Sequence, residues 1–521
     1  MSAHPAAPPS TPPSKNILTR SLDRIEHIGN KLPDPLTLFV GLALLMPVIS
    51  WLVSLTGWSL VHPGTQATIQ VVNLLAPDQI QRMFTDSVKN FTGFPPLGTV
   101  LVAMIGIGVA ERSGLIKTML KMMVSTVPGS LISAALVFAG VMSSMAADAG
   151  YVVLTPLGAV LFAGLGRHPL AGLAAAFAGV SGGFSANLLL TSLDPLLAGF
   201  TESAAKIYDP SYAVAPTANF YFMFVSVFLV TLVGWFVTDK IVEPRLGKWD
   251  PAYAGEGSSP AESESLNTLL PAEKKGAWAA FGVFGLTLAM FAALVIPANG
   301  ILRDAEGGLG PFYSSLVIMI CLSFLFPSLV YGLITGSIRN DRDVASMTGD
   351  TMASMGAYIV LAFAAAQFVA FFTWSNLGLM FAISGAALIK VMGIGGIPLL
   401  LIFMAISGVV NLFIGSASAK WAIMAPVFVP MLMNLGYSPE LAQVTYRIGD
   451  SITNIITPLL PYFPIVVAFA QRYDKRVRLG TLIAAMLPYS IAFSLAWTLM
   501  LIVWYLFNLP LGPGAGLFYT P

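Results

Sequence analysis

Two stretches set charged and polar residues inside apolar sequence. YRIGDSITNIITPLLPYF carries Arg447, Asp450, Ser451, Thr453, Asn454 and Pro458. Arg447 and Asp450 stand at i and i+3, and Asp450 and Asn454 at i and i+4, so one helix face holds all three. Pro458 frees the Asn454 carbonyl from its helical bond. A freed carbonyl, a carboxylate and amide oxygens are hard ligands suited to a small cation, and the Arg447 fork suits a carboxylate on a substrate. The competing reading is an Arg447–Asp450 ion pair that only locks helices together. NLFIGSASAKWA adds Asn411, Ser416, Ser418, Lys420 and Trp421. Trp421 reads as an interface anchor or as a stacking surface for an aromatic ligand. Lys420 pairs with an acid such as Asp148 or Asp450, or reaches solvent in a cavity. SGGFSANLLLTSLDPLLAG supplies Asn187 and Asp194, and SSMAADAGY supplies Asp148. Both acids read equally as functional groups or as caps.

An ionisable group inside a bilayer costs a few kcal/mol and is a functional hypothesis by default, and the composition around these residues points to a bilayer. Of 521 residues, 10% are charged and 56% hydrophobic, and the mean hydropathy is +0.79. A soluble domain carries roughly 25% charged residues. Apolar runs of the roughly 20 residues needed to cross a bilayer occur near 35–55, 91–112, 170–200, 216–238, 276–297, 312–335, 355–373, 441–470 and 480–507. Two more, 130–165 and 397–435, are too long for one pass and too short for two, which fits a re-entrant hairpin of two half-helices. The prediction is an all-α polytopic membrane protein with about nine transmembrane helices plus two re-entrant hairpins. Residues 1–30 form a disordered cytoplasmic segment and 31–238 the first membrane half, with its hairpin at 130–165 and a broken span at 170–200. The GEGSSPAESES-containing stretch 239–275 is a cytoplasmic linker. Residues 276–521 form the second half, with its hairpin at 397–435 and a broken span at 441–470.

Charge placement orients this scheme. With a cytoplasmic N-terminus, Arg82, Lys89, Lys206, Arg303 and Lys390 fall outside, and Lys420 and Arg447 fall within membrane segments. The remaining nineteen of the 26 Lys and Arg residues fall inside, as the positive-inside rule requires. The C-terminus is then periplasmic. Pro156, Leu165, Gly166 and Pro169 recur at the same spacing as Pro426, Leu435, Gly436 and Pro439. The two halves start on opposite sides, so the repeat is inverted, as in many secondary transporters with sites where broken helices meet. The net charge of +1 gives no nucleic-acid footprint. The lone Cys321 and four scattered histidines speak against a disulfide framework, a thiolate or histidine metal cluster and a Ser–His hydrolase. No G-x-x-x-x-G-K-[ST] loop for ATP occurs.

The stretches VKNFTGFPPLGTVLV, LGRHPLAGLAAAFAGVSGG, SANLLLTSLDPLLAG, GSASAKWA, YRIGDSITNIITP and GLFYTP resemble the AbgT family, the p-aminobenzoyl-glutamate transporters, over nearly the whole chain from about residue 20. The resemblance implies a homodimer in a bacterial inner membrane, each subunit with nine spans and two hairpins. It implies functional positions at Asp194, Ser418, Trp421, Pro439, Arg447, Asp450 and Pro458, to which the residue reading adds Asn187 and Asn454. It also implies a sodium ion at Asn411 and Asp450, the one cofactor considered. Members of the family are associated with uptake of p-aminobenzoyl-glutamate and with export of sulfonamides and p-aminobenzoate. The expectation is a secondary active transporter, not an enzyme, whose partners are the lipid bilayer and a small aromatic amine or anion. Proton-coupled sulfonamide export is the leading form; sodium-coupled import of p-aminobenzoyl-glutamate is the alternative, and a channel is a more distant one.

Overall fold

The structure, a computed structural model, describes residues 35–61, 67–125, 127–146, 150–250, 269–297, 299–305, 307–457, 460 and 462–520. The segment 1–30, much of the 239–275 linker, Asp148 and Pro458 lie outside the described residues.

Six described helices are long and apolar enough to cross a bilayer: Leu36–Ser54, Phe220–Leu246, Pro271–Val295, Ser314–Thr335, Gly356–Trp374 and Leu479–Leu506. A helix of 28 residues such as Leu479–Leu506 is about 42 Å long at 1.5 Å per residue, more than the hydrocarbon thickness. These helices leave large apolar side chains uncovered, among them Leu44 (71% exposed), Leu286 (71%) and Leu499 (64%). Lipid is the solvent that tolerates such surfaces. Pro327 and Pro488 sit inside two of the helices, a placement that membrane helices accommodate. A small antiparallel ribbon pairs Ser59–Val61 with Thr68–Gln70.

The remaining apolar runs bend or break. The 91–112 run forms Pro95–Arg112 and then bends by 63° into a further helix from Leu115. The 170–200 run divides into Pro169–Phe177, a π turn over Ala178–Gly182, and Leu193–Ala205, with residues 183–192 non-helical between them. The 441–470 run divides into Pro439–Asn454 and Phe463–Tyr473. The 130–165 run contains Ile132–Met142 and Thr155–Gly164. The 397–435 run contains Gly396–Asn411 and Ala417–Asn434, with five non-helical residues between. One apolar helix, Leu377–Val391, matches no run assigned from the sequence, because at 15 residues it is shorter than a span.

The repeated Leu-Gly-x-x-Pro motif makes the same turn twice. Gly166 and Gly436 adopt φ of +68° and +89° just past the helices ending at Gly164 and Asn434, a left-handed close that glycine makes without strain. Pro169 and Pro439 then open the next helices at the first position, behind His168 and Ser438, whose side chains cap them.

The first turn joins two helices held at backbone contact, and in the second half the matching contact lies between Pro439–Asn454 and the earlier Gly396–Asn411 helix. A Cβ on Gly158 would stand 2.4 Å from the Gly172 carbonyl oxygen, and one on Gly172 2.1 Å from that of Gly158. In the second half, a Cβ on Gly449 would lie 2.4 Å from the Met404 carbonyl oxygen. No side chain fits at these crossings.

Candidate functional site

The Pro439–Asn454 helix is polar, yet every residue in it except Thr453 is buried. Such a helix faces neither water nor lipid, so its polar groups find their partners inside the protein. Arg447 and Asp450 do not pair with each other. Each takes its partner from a different broken element.

Arg447 reaches the Leu193–Ala205 helix. Its Nη1 donates to Asp194 Oδ1 at 2.8 Å, and its Nη2 to the Ser185 carbonyl at 2.9 Å. Asp194 Oδ2 accepts from Asn187 Nδ2 (2.7 Å), the Thr191 N–H (2.7 Å) and the Thr191 hydroxyl (3.0 Å). Asp194 organises the 187–191 loop with one oxygen and holds Arg447 with the other. The non-helical stretch between Gly183 and Leu193 is what lets Ser185, Asn187 and Thr191 turn toward a single carboxylate. Around this pair, Arg447 Nε, Ser185 Oγ and Asn187 Oδ1 are buried without a hydrogen-bond partner among the described residues. Buried polar atoms are rarely left so, and a guanidinium N–H left open beside two such oxygens marks a place suited to receive a polar group.

Asp450 pairs with Lys420, which the Ala417–Asn434 helix carries and which is fully buried. The Lys420 ammonium also donates to Asn411 Oδ1. Asn411 turns its amide nitrogen toward the Asp450 carbonyl, the Thr453 hydroxyl and Asn454 Oδ1, each at 2.8 Å. Asn454 Nδ2 donates to Asp450 Oδ2 at 3.1 Å. Asn411, Lys420, Asp450 and Asn454 thus form one closed network.

The sodium ion implied at Asn411 and Asp450 does not fit this network. Asn411 Oδ1 and Asp450 Oδ1 both accept from the Lys420 ammonium. A second cation within about 4 Å of that ammonium is repelled by about 4 kcal/mol at an effective dielectric constant near 20. Among the described residues no three His, Cys, Asp or Glu side chains are grouped to hold a metal ion.

Trp421 is completely buried and stacks on Tyr446, with ring centroids 4.5 Å apart and planes at 24°. Its indole N–H donates to the Thr201 hydroxyl at 2.8 Å. Thr201 meets Gln443, Gln443 donates to Asn219 (2.8 Å), and Asn219 donates to the Glu440 carbonyl (2.9 Å). Ser418 is half-buried beside the helix cap Ser416, 3.3 Å between hydroxyls. Pro439 is buried at the start of the Arg447 helix, about 12 Å along its axis from Arg447 at 1.5 Å per residue. The sequence reading passed over Thr201, Gln443 and Glu440. An acid at the start of a predicted span was the available signal for Glu440, whose carboxylate accepts from the Tyr212 hydroxyl at 2.9 Å. Thr201 and Gln443 carry no such signal.

The 187–191 loop has a second side. Leu189 and Leu190 line an apolar cavity of about 350 Å³ together with Phe220, Phe291, Phe312 and Phe324. At another site, a polar cavity of about 390 Å³ is lined by His168, Arg245, Lys248, Asp474 and Arg476. There the Arg476 hydrogen bond holds the Asp474 carboxyl below its usual range.

Comparison with known proteins follows the same outline. The model of the "AbgT putative transporter family" matches residues 20–519. The p-aminobenzoyl-glutamate transport protein of Escherichia coli (strain K12) is 40% identical over 508 residues, covering 97% of this chain and 98% of that one. Among solved structures, Neisseria gonorrhoeae MtrF, described with a class of antimetabolite efflux pumps, has a TM-score of 0.90 and 47% identity over 95% of this chain and all of its own. The Alcanivorax borkumensis YdaH transporter, noted for an unusual topology, has a TM-score of 0.87 and 45% identity over 92% of this chain and all of its own.

Proposed function

The chain belongs to the AbgT family of multi-pass membrane transporters, and on that footing we propose that it is a proton-coupled secondary transporter that exports sulfonamide-type antimetabolites and p-aminobenzoate-like compounds. Its relatives are named as transporters and efflux pumps, not enzymes. The observation that carries the reading is the Arg447–Asp194 pair, with Arg447 Nε and the neighbouring Ser185 Oγ and Asn187 Oδ1 unpartnered among the described residues. A guanidinium with a free N–H is a ready site for a carboxylate or sulfonyl oxygen. In this reading the anionic end of the substrate replaces Asp194 at Arg447, and the released Asp194 carboxylate takes the coupling proton. Trp421 and Tyr446, already stacked on each other, offer the aromatic surface. The apolar cavity beside Leu189 and Leu190 suits the passage of a ring.

The same proposal takes the two halves as an inverted repeat of nine spans and two hairpins, in a homodimer of a bacterial inner membrane. The N-terminus is cytoplasmic and the C-terminus periplasmic. Asp194, Asn187, Ser418, Trp421, Pro439, Arg447, Asp450, Asn454 and Pro458 serve substrate and coupling.

The test is flux in proteoliposomes, with p-aminobenzoyl-glutamate and a sulfonamide run in parallel under an imposed pH gradient and then an imposed sodium gradient. The expected result is sulfonamide movement driven by the pH gradient and abolished in Asp194→Asn. Equal flux without any gradient, or full coupled activity in Asp194→Asn, defeats the proposal.

A further inference from the structure

The closed network at Asn411, Lys420, Asp450 and Asn454 does more than exclude an ion. Every side chain in it is buried, and two of its oxygens, Asn411 Oδ1 and Asp450 Oδ1, converge on one point. Asn411 is fixed with its amide nitrogen away from that point, by three acceptors at 2.8 Å, which leaves its carbonyl oxygen pointing inward. Asp450 Oδ1 points inward as well, while Oδ2 is held by Asn454 at 3.1 Å. The group at the focus of these inward oxygens is the Lys420 ammonium. An ammonium is a compact point charge with three donors. It supplies what a small bound cation would supply, which is one positive charge against a carboxylate and an amide oxygen. The difference is that it is covalently attached, from a helix that begins only four residues earlier at its Ser416 cap.

We propose that Lys420 is a tethered substitute for a bound cation, so that the Asn411–Asp450 site takes no sodium and sodium plays no part in coupling. This rests on the transporter reading only for its last clause; occupancy of the site is independent of it. The geometry also fixes what removal of the ammonium does. Shortening the side chain leaves the Asp450 carboxylate and the Asn411 carbonyl facing an unfilled, oxygen-lined space. A monovalent cation of small radius is then the natural occupant, because hard oxygen donors favour hard cations.

The experiment compares thermal unfolding of the purified full-length protein in sodium, potassium and N-methylglucamine chloride at equal ionic strength, with radioactive sodium binding measured alongside. For the unaltered protein the expected result is the same midpoint in all three salts and no saturable sodium binding. For Lys420→Ala and Lys420→Gln the expected result is a sodium-specific rise of several degrees and saturable binding of one ion per chain, since a ligand that binds only the folded state raises its stability. Saturable sodium binding to the unaltered protein, or folded Lys420 variants indifferent to sodium, overturns the proposal. If neither variant folds, binding to the unaltered protein decides alone. Failure of the transporter reading would appear separately, as no gradient-driven flux whatever the sodium response.

Discussion

Replacing Asp194 with Asn tests whether the buried Arg447–Asp194 pair acts as one unit. The carboxylate accepts four hydrogen bonds, one from Arg447 and three from Asn187 and Thr191. An amide has a single oxygen. If it keeps the three loop donors, its NH₂ faces the Arg447 Nη1 donor; if it keeps Arg447, the loop donors lose their acceptor. Arg447, only 1% exposed, is left charged and uncompensated in either case. Removing one partner of a buried pair costs about 3–5 kcal/mol. The unfolding entropy of about 2.1 cal/mol/K per residue, applied to 521 residues, converts this to a fall in melting temperature of about 3–5 °C. Arg447→Gln should cost a similar amount. The double variant should be less damaged than the sum of the singles, by at least about 1 kcal/mol of coupling, because two neutral amides can bond to each other. The assay is thermal unfolding of the purified protein in detergent for all four members of the cycle. Strictly additive shifts would refute the reasoning, since the two side chains would then be acting apart.

Further predictions concern packing and the aromatic pair. Gly449→Ala forces a methyl against the Met404 carbonyl oxygen at 2.4 Å, whereas the nearest atom to a methyl on Gly408 is Thr453 Cγ2 at 3.2 Å. Overpacking costs typically 1–3 kcal/mol, so melting temperatures should fall further for Gly449→Ala than for Gly408→Ala; the reverse order would contradict the crossing described. Trp421→Phe keeps a ring on Tyr446 and loses the bond to Thr201, about 1 kcal/mol, together with the smaller part of the indole's buried volume. Trp421→Ala leaves a cavity costing about 3–5 kcal/mol. Equal destabilisation by the two, measured by the same melting assay, would argue against the stack as the main contribution.

Much of the architecture could be read from the chain because hydrophobic length is a local property. The runs near 35–55, 276–297, 355–373 and 480–507 each became a helix with nearly those ends. Breaks were legible where composition announces them, at Gly182 and Gly183 and around the Ser416 cap. Partnership was not legible. Arg447 and Asp194 are 253 positions apart, and the i, i+3 spacing of Arg447 and Asp450 pointed to the wrong neighbour. Local spacing says which residues share a face, but what that face meets depends on how separate elements cross. The Trp421 contact to Thr201 was hidden for the same reason, since a threonine within an apolar run carries no mark of its use. For Lys420 the sequence left open an acid partner, Asp148 or Asp450, or solvent in a cavity; the fold pairs it with Asp450.

The glycine crossings bear on how such a molecule could move. With Gly158 against Gly172, and Gly449 against the Met404 backbone, each pair of crossing helices touches main chain to main chain, with no side-chain layer to absorb sliding. Helices packed in this way travel together as a block, and any opening must be a rotation of one block against its surroundings. The non-helical stretch 183–192 meets the second half through Ser185, whose carbonyl accepts from Arg447 and whose N–H donates to Ser451, with Asp194 just beyond it holding Arg447. Any such rotation would have to exchange these bonds together with the Trp421–Thr201–Gln443 chain that also ties the halves, so the contacts proposed to receive substrate are among those that movement must remake.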